Sequence, residues 1–199
     1  MTVTRSPRKL PKQARSRALV DALLDATEAL AFQSGLANVT VPAIVQRSGV
    51  GQGSVFEYFP SKEALVAAWA ERTWQRALNA AVSAAATGLE GINLRAVSAL
   101  NGVLWPYARA TSGMHFGDVL GRRDVRKEVF DAVAAFVEGA LEHHAAALPA
   151  PLANRAASAR LLASVLASDL YLEWLASIDD VAIANEEATA LIRRYLRGD

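Results

Sequence analysis

Apolar positions recur with a helical period from the start of the readable pattern. Over residues 13–34, Leu19, Ala22, Leu23, Ala26, Ala29 and Leu30 fall at i, i+3, i+4, i+7, i+10 and i+11, one stripe on a 3.6-residue repeat. Gly35 supplies the stop. Thr40 then predicts a cap for a second helix, its hydroxyl accepting an orphan N–H, with Pro42 in the first turn where a missing donor costs little. Ile44 and Val45 are expected to face inward. Ser48-Gly49-Val50-Gly51 reads as a turn in which glycine reaches left-handed angles cheaply and Val50 plugs the gap between helices. A short helix over 52–59 is expected next, with Val55, Phe56 and Phe59 on its inner side. Pro60 halts it, Ser61 caps the following helix and Glu63 complements that helix's positive end.

Beyond this point the spacing predicts a long helix over 62–86, broken at Thr87, Gly88 and Gly91, and further helices over 92–110, 124–148, 152–177 and 181–197. Boundaries fall at the 111–116 turn, Pro149-Ala150-Pro151 and Ile178-Asp179-Asp180. There is no alternating strand pattern and no internal repeat. The expected fold is all-α: a basic arm over 1–12, an N-terminal three-helix domain over 13–61, and a helical domain over 62–199.

Composition narrows the function classes. The 199 residues are 52% hydrophobic and 21% charged, enough to bury a core in one domain or two small ones. Cysteine is absent, which excludes disulfides, thiolate nucleophiles and cysteine zinc sites and fits a reducing cytoplasm. Three histidines leave little material for a metal centre. The basic start lacks the apolar run of a signal peptide, and the longest uncharged stretch, 29–46, holds Gln33, Ser34, Gly35, Asn38 and Pro42, unsuited to a membrane. The net charge of +1 hides an asymmetry: residues 1–62 carry eight Lys/Arg against four acids, and six of those cations precede the first acid. Alone, such a run reads equally as a solvated tail; beside two helices joined by a glycine turn, it reads as a phosphate-binding arm.

The segment 40–63 has the layout with which a chain presents a helix to the major groove of DNA. An enzymatic reading fares poorly. Gly49-Val50-Gly51-Gln52-Gly53-Ser54 misplaces the third glycine of a dinucleotide loop and follows a helix, not a strand. No catalytic grouping, metal-ligand spacing or cofactor motif stands out, so no enzyme activity, metal or cofactor is expected.

The run Thr40-x-x-x-Ile44, Gly49-Val50-x-x-Gly53-x-x-Phe56-x-Tyr58-Phe59-x-Ser61-Lys62-x-x-Leu65 resembles the TetR family of bacterial transcriptional regulators over about a quarter of the chain. The resemblance implies a cytoplasmic homodimer whose helix-turn-helix binds a palindromic operator, usually repressing until a small molecule enters the C-terminal helical domain. It assigns Gln52, Gly53, Ser54 and Glu57 to base edges, Gln52 foremost because its amide bonds bidentately to adenine. Phosphates fall to Thr40 and the amide of Val41 at a helix start, to Lys62 as a point charge, to the Tyr58 phenol and to Arg8, Lys9 and Lys12 of the arm. Two positions depart from the family pattern: Gly51 stands where a serine or threonine cap is common, and Phe56 where tyrosine is common.

In the C-terminal part, the apolar 152–177 helix is expected to be buried on two sides, pairing with 181–197 and their copies as a four-helix dimer interface through Leu161, Leu162, Val165, Leu172, Ala188, Leu191, Ile192 and Tyr195. Candidate effector-lining residues are Trp69, Thr73, Asn101, Trp105, Met114, His115, Phe116, Phe130, Phe136, Ser168 and Tyr171, although aromatics at helical spacing equally make ordinary core. Pro106 is expected to kink its helix over a cavity. A largely apolar or aromatic effector there is expected to shift the 62–86 helix and change the separation of the reading helices, which must enter major grooves about 34–36 Å apart.

If the basic arm grips phosphate, deleting residues 1–12 lowers affinity for the operator and flattens its dependence on salt, by roughly one unit of logarithmic slope for each phosphate no longer neutralised. Binding measured across a salt series checks this; an unchanged slope refutes it.

Overall fold

The computed structural model describes residues 14–85, 92–114, 119, 123–143 and 154–197. Among these the chain is all-helical: α1 (Ala14–Ser34), a 3-10 turn (Leu36–Asn38), α2 (Val41–Ser48), α3 (Gln52–Tyr58), α4 (Lys62–Ala85), α5 (Ile92–Ala110), α6 (Arg123–His143), α7 (Arg155–Leu166), α8 (Asp169–Ser177) and α9 (Val181–Arg197). No described helix is long and apolar enough to cross a membrane. The described chain forms two compact units, one within Met1–Arg72 and Arg109–Arg123, the other within Thr73–Ala108 and Asp124–Asp199.

The first unit is built on α1, which packs against the 3-10 turn and α2, with α2 in turn against α3. Leu23, Leu24, Ala26, Thr27 and Ala31 are its buried face. The Thr27 hydroxyl is inside without cost to hydrogen bonding, because it donates to the Leu23 carbonyl at 2.8 Å. Gly35 ends the helix at φ 78°, an angle that only glycine adopts readily. The early part of α4 is anchored to α1 by two side-chain bridges: the Trp69 indole N–H donates to Glu28 at 3.2 Å, and Arg72 pairs with Asp25 at 2.8 Å. Phe32 stands edge-on to Trp69, ring centres 6.3 Å apart. At the start of α4 the Ser61 hydroxyl accepts from the amide of Ala64 at 3.2 Å, as a cap should.

In the second unit, Trp74 meets Tyr107 edge-on at 6.5 Å, both fully buried, and burial pushes the Tyr107 phenol well above its ordinary value. Three helices are tied by one polar chain: the Tyr171 hydroxyl donates to Asn101 Oδ1 at 2.7 Å, and Asn101 Nδ2 donates to Asn185 at 2.9 Å. The Tyr171 phenol is pushed up to about 12, chiefly by burial, against the opposing hydrogen bond to Asn101. Arg160 of α7 lies over the Phe130 ring of α6, 5.0 Å from its centre. The α5 helix continues through Pro106, and the Trp105 indole donates to the Ile178 carbonyl at 2.9 Å.

One expected element is wrong in kind. The single helix over 152–177 is two helices, α7 and α8, that pack on each other with a break at Ala167 and Ser168. Ser168 takes an extended conformation (φ −104°, ψ 155°), and its hydroxyl both donates to the Val165 carbonyl at 2.7 Å and accepts from the Tyr171 amide at 3.0 Å. With Asp169 in the first turn of α8, this is ordinary cap chemistry. Ser168 therefore joins two helices.

Two outcomes follow from these caps. Ser168→Ala should cost about 1 kcal/mol and lower the melting temperature by about 2–4 °C, read by calorimetry. The Glu63 carboxyl is held below the usual 4.5, first by a hydrogen bond from its own backbone N–H and next by the Ser61 hydroxyl. A lowered carboxyl stabilises the fold above its unfolded value and loses that contribution as pH falls through the lowered one. Glu63→Gln should thus melt below the wild type at pH 7, and the gap should close as the pH falls through that lowered range; a gap that persists in strong acid refutes this assignment.

Candidate nucleic-acid interface

Thr40 sits in an extended conformation before α2, and its hydroxyl accepts from the Ala43 amide at 3.4 Å while Pro42 occupies the first turn. The helix ends on Gly49, whose φ of 69° is left-handed and whose amide closes on the Val45 carbonyl at 3.0 Å. Ser48 stiffens the turn, donating to the Val45 carbonyl at 3.3 Å and accepting from the Val50 amide at 3.2 Å. Val50 is half-buried between the helices. Gly51 caps α3 without a side-chain bond, its carbonyl taking the amides of Ser54 and Val55. A non-glycine residue at Gly49 would bear the left-handed strain directly, so the turn angle between α2 and α3 depends on that glycine.

α3 separates its residues by face. Val55 and Tyr58 are buried, and Phe59, which ends the helix, is 1% exposed. Gln52, Gly53, Phe56 and Glu57 are exposed and Ser54 is half-buried. The expected base readers Gln52, Gly53 and Glu57 thus share the open side, with Ser54 at its edge. Among the expected phosphate contacts, Thr40 is exposed and Val41 and Lys62 are half-buried. Arg8, Lys9 and Lys12 lie outside the described residues.

Burial sorts the two aromatic residues of α3, and one expectation is corrected. Tyr58, expected to offer its phenol to a phosphate, is 6% exposed, because at three residues from Val55 it falls on the same inner face. Phe56, expected inside, is 42% exposed, because one residue past Val55 turns it about 100° away from the core. Arg47, exposed in the last turn of α2, adds a cation close to the turn; it enters the charge asymmetry of the sequence but not the expected set of phosphate contacts.

The candidate effector residues divide between the units. Trp69 and Met114 belong to the first, Trp69 bonded to Glu28 and Met114 exposed after the turn at Gly113. Thr73, Asn101, Trp105, Phe130, Phe136, Ser168 and Tyr171 belong to the second, where Asn101 and Tyr171 touch and Ser168 is a helix cap. His115 and Phe116 lie outside the described residues. No group of three or more His, Cys, Asp or Glu among the described residues could hold a metal.

The expected dimer residues also sort by exposure. Leu161, Val165 and Leu191 are 54%, 53% and 62% exposed, Leu162 is half-buried, and Leu172 and Ala188 are already buried within their own chain. The side chains of Ile192 and Tyr195 lie outside the described residues. Leu170 and Ile183, absent from the expected set, are exposed as well.

Residues 23–69 match the family model described as bacterial regulatory proteins, tetR family. No curated protein sequence matches the chain. Among solved structures, a protein from Rhodococcus sp. RHA1 assigned as a transcriptional regulator aligns with a TM-score of 0.69 at 22% identity, over 89% of this chain and 95% of that one. The TetR-family repressor AlkX from Dietzia sp. strain DQ12-45-1b aligns at 0.56 and 19% identity, over 90% and 95%. NalD, the secondary repressor of the MexAB-OprM multidrug efflux pump in Pseudomonas aeruginosa, aligns at 0.59 and 17%, over 94% and 100%. The glycine turn, the capped α2 and the two-faced α3 lie inside the matched segment, so residues 23–69 are similar to the DNA-binding segment of bacterial regulatory proteins of the tetR family, and the described helices follow the fold of these solved regulators.

Proposed function

We propose that the protein is a cytoplasmic repressor that binds a palindromic operator as a homodimer and is released by a small, largely apolar or aromatic effector. The observation that carries this reading is the division of α3 into a buried face and an open one, braced by a turn that needs glycine at position 49. Residues 13–61 read DNA, with Gln52, Gly53, Ser54 and Glu57 at base edges and Thr40, Val41, Lys62 and the 1–12 arm at phosphates. Residues 62–199 pair the subunits and take the effector.

Pairing is supported by the uncovered apolar side chains of the second unit. Leu161 and Val165 are one turn apart on α7, and Ile183 and Leu191 are two turns apart on α9, all more than half exposed. Two reading helices on one palindrome need a symmetric pair, and a symmetric contact uses the same patch twice. The effector class is supported by the second unit's aromatic and amide groups around Asn101, Tyr171 and Trp105. It is also supported by RolR, a structural neighbour at a TM-score of 0.57 and 16% identity, which is solved with resorcinol. Because α4 contributes to both units, a shift of this helix is the route by which an effector that favours the non-binding state would act.

The test joins sequence selection with assembly. Wild-type protein should enrich a palindrome from genomic fragments and sediment as a dimer. The double variant Leu161→Glu, Val165→Glu, changed only at exposed positions, should sediment as a monomer and lose about a hundredfold or more in operator affinity as the two half-sites uncouple. A monomeric wild type overturns the dimeric reading, and failure to enrich any duplex at low salt overturns the regulator reading.

A further inference from the structure

The open face of α3 centres on a ring that the polar contacts above leave unused. With Gln52 set at 0°, Phe56 falls at about 40°, Gly53 at about 100° and Glu57 at about 140° around the helix. These four are its exposed positions, so the phenyl ring lies between the amide and the carboxylate expected to meet base edges. Phe32, almost equally exposed at 43%, has its ring set against Trp69 within its own unit. Phe56, at 42%, stands instead on the open side of α3.

We infer that Phe56 reads the 5-methyl group of a thymine in the major groove, making it a specificity-determining residue of this regulator. This rests on the DNA-reading face proposed above. A phenyl ring has no donor or acceptor for a phosphate or a base edge, and the thymine methyl is the apolar group that base pairs present in the major groove. Gly53, three residues before Phe56 and on the same face, has nothing within 4 Å of where a Cβ would stand, so no side chain one turn earlier holds the ring away from the bases. Gln52 on its other flank suits an adenine, and an adenine–thymine step would satisfy both side chains. The half-site is therefore expected to carry a thymine whose methyl, not only its hydrogen-bonding edge, is recognised.

The test uses full-length protein and the palindrome that it enriches from a random duplex library, with each thymine replaced in turn by deoxyuridine, which removes only the methyl. Wild type should lose roughly fourfold in affinity at one position per half-site, and roughly fifteenfold when both symmetric positions are changed. Phe56→Ala should bind the thymine and uracil duplexes alike at that position, while its sensitivity to base changes opposite Gln52 persists. Phe56→Leu, which keeps an apolar contact of smaller area, should retain a reduced preference, and circular dichroism of both variants should match the wild type. A wild type indifferent to every methyl, or a Phe56→Ala protein that keeps the full preference, overturns the inference while leaving operator binding intact. A wild type that enriches no sequence overturns the underlying reading as well, at the selection step.

Discussion

A seven-residue helix does not hold itself together in water: nucleation is costly, and isolated helices shorter than about 12–15 residues are marginal. α3 exists because Val55, Tyr58 and Phe59 are buried in the first unit and because the turn before it is fixed by Gly49 and Ser48. This constraint decides the remaining chemistry of the segment. A helix with so few residues has to spend one side on anchorage, which leaves one narrow side for recognition. The early part of α4 belongs to the same constraint, since the bridges from Trp69 to Glu28 and from Arg72 to Asp25 tie that helix to α1, against which α2 packs.

The second unit uses a different device. Its helices carry many small residues, among them Ala159, Ala163, Ala184 and Ala188 in the core, which allow close approach but specify register poorly. The chain Tyr171–Asn101–Asn185 supplies register, because each buried polar group finds its partner in only one alignment of α5, α8 and α9. The Trp105 bond to the Ile178 carbonyl fixes the loop between α8 and α9 in the same way.

Much of this was legible from residue types with strong local physics. Thr40, Gly49, Pro60 and Ser61 mark helix ends by capping and backbone geometry, which depend on neighbours in sequence, and those ends lie where the pattern placed them. The errors arise where tertiary burial decides. Phe56 and Tyr58 are both aromatic and two residues apart, so hydrophobicity placed the wrong one inside; counting around the helix from Val55 would have separated them. The break at Ser168 was concealed by apolar residues on both sides, although Ser168-Asp169 carries the same cap chemistry that is legible at Thr40 and Ser61. Contacts distant in sequence, such as Asn101 with Asn185, leave no local signal.

The distribution of indoles has an optical consequence. Of the four tryptophans, only Trp69 falls in the first unit, where it is fully buried and bonded to Glu28 of α1. Its emission is therefore a local gauge of how firmly α4 is seated on α1, spectrally separable from events among Trp74, Trp105 and Trp174 once those three are replaced by phenylalanine. Any rearrangement that loosens this seat would register as a change in polarity around a single chromophore.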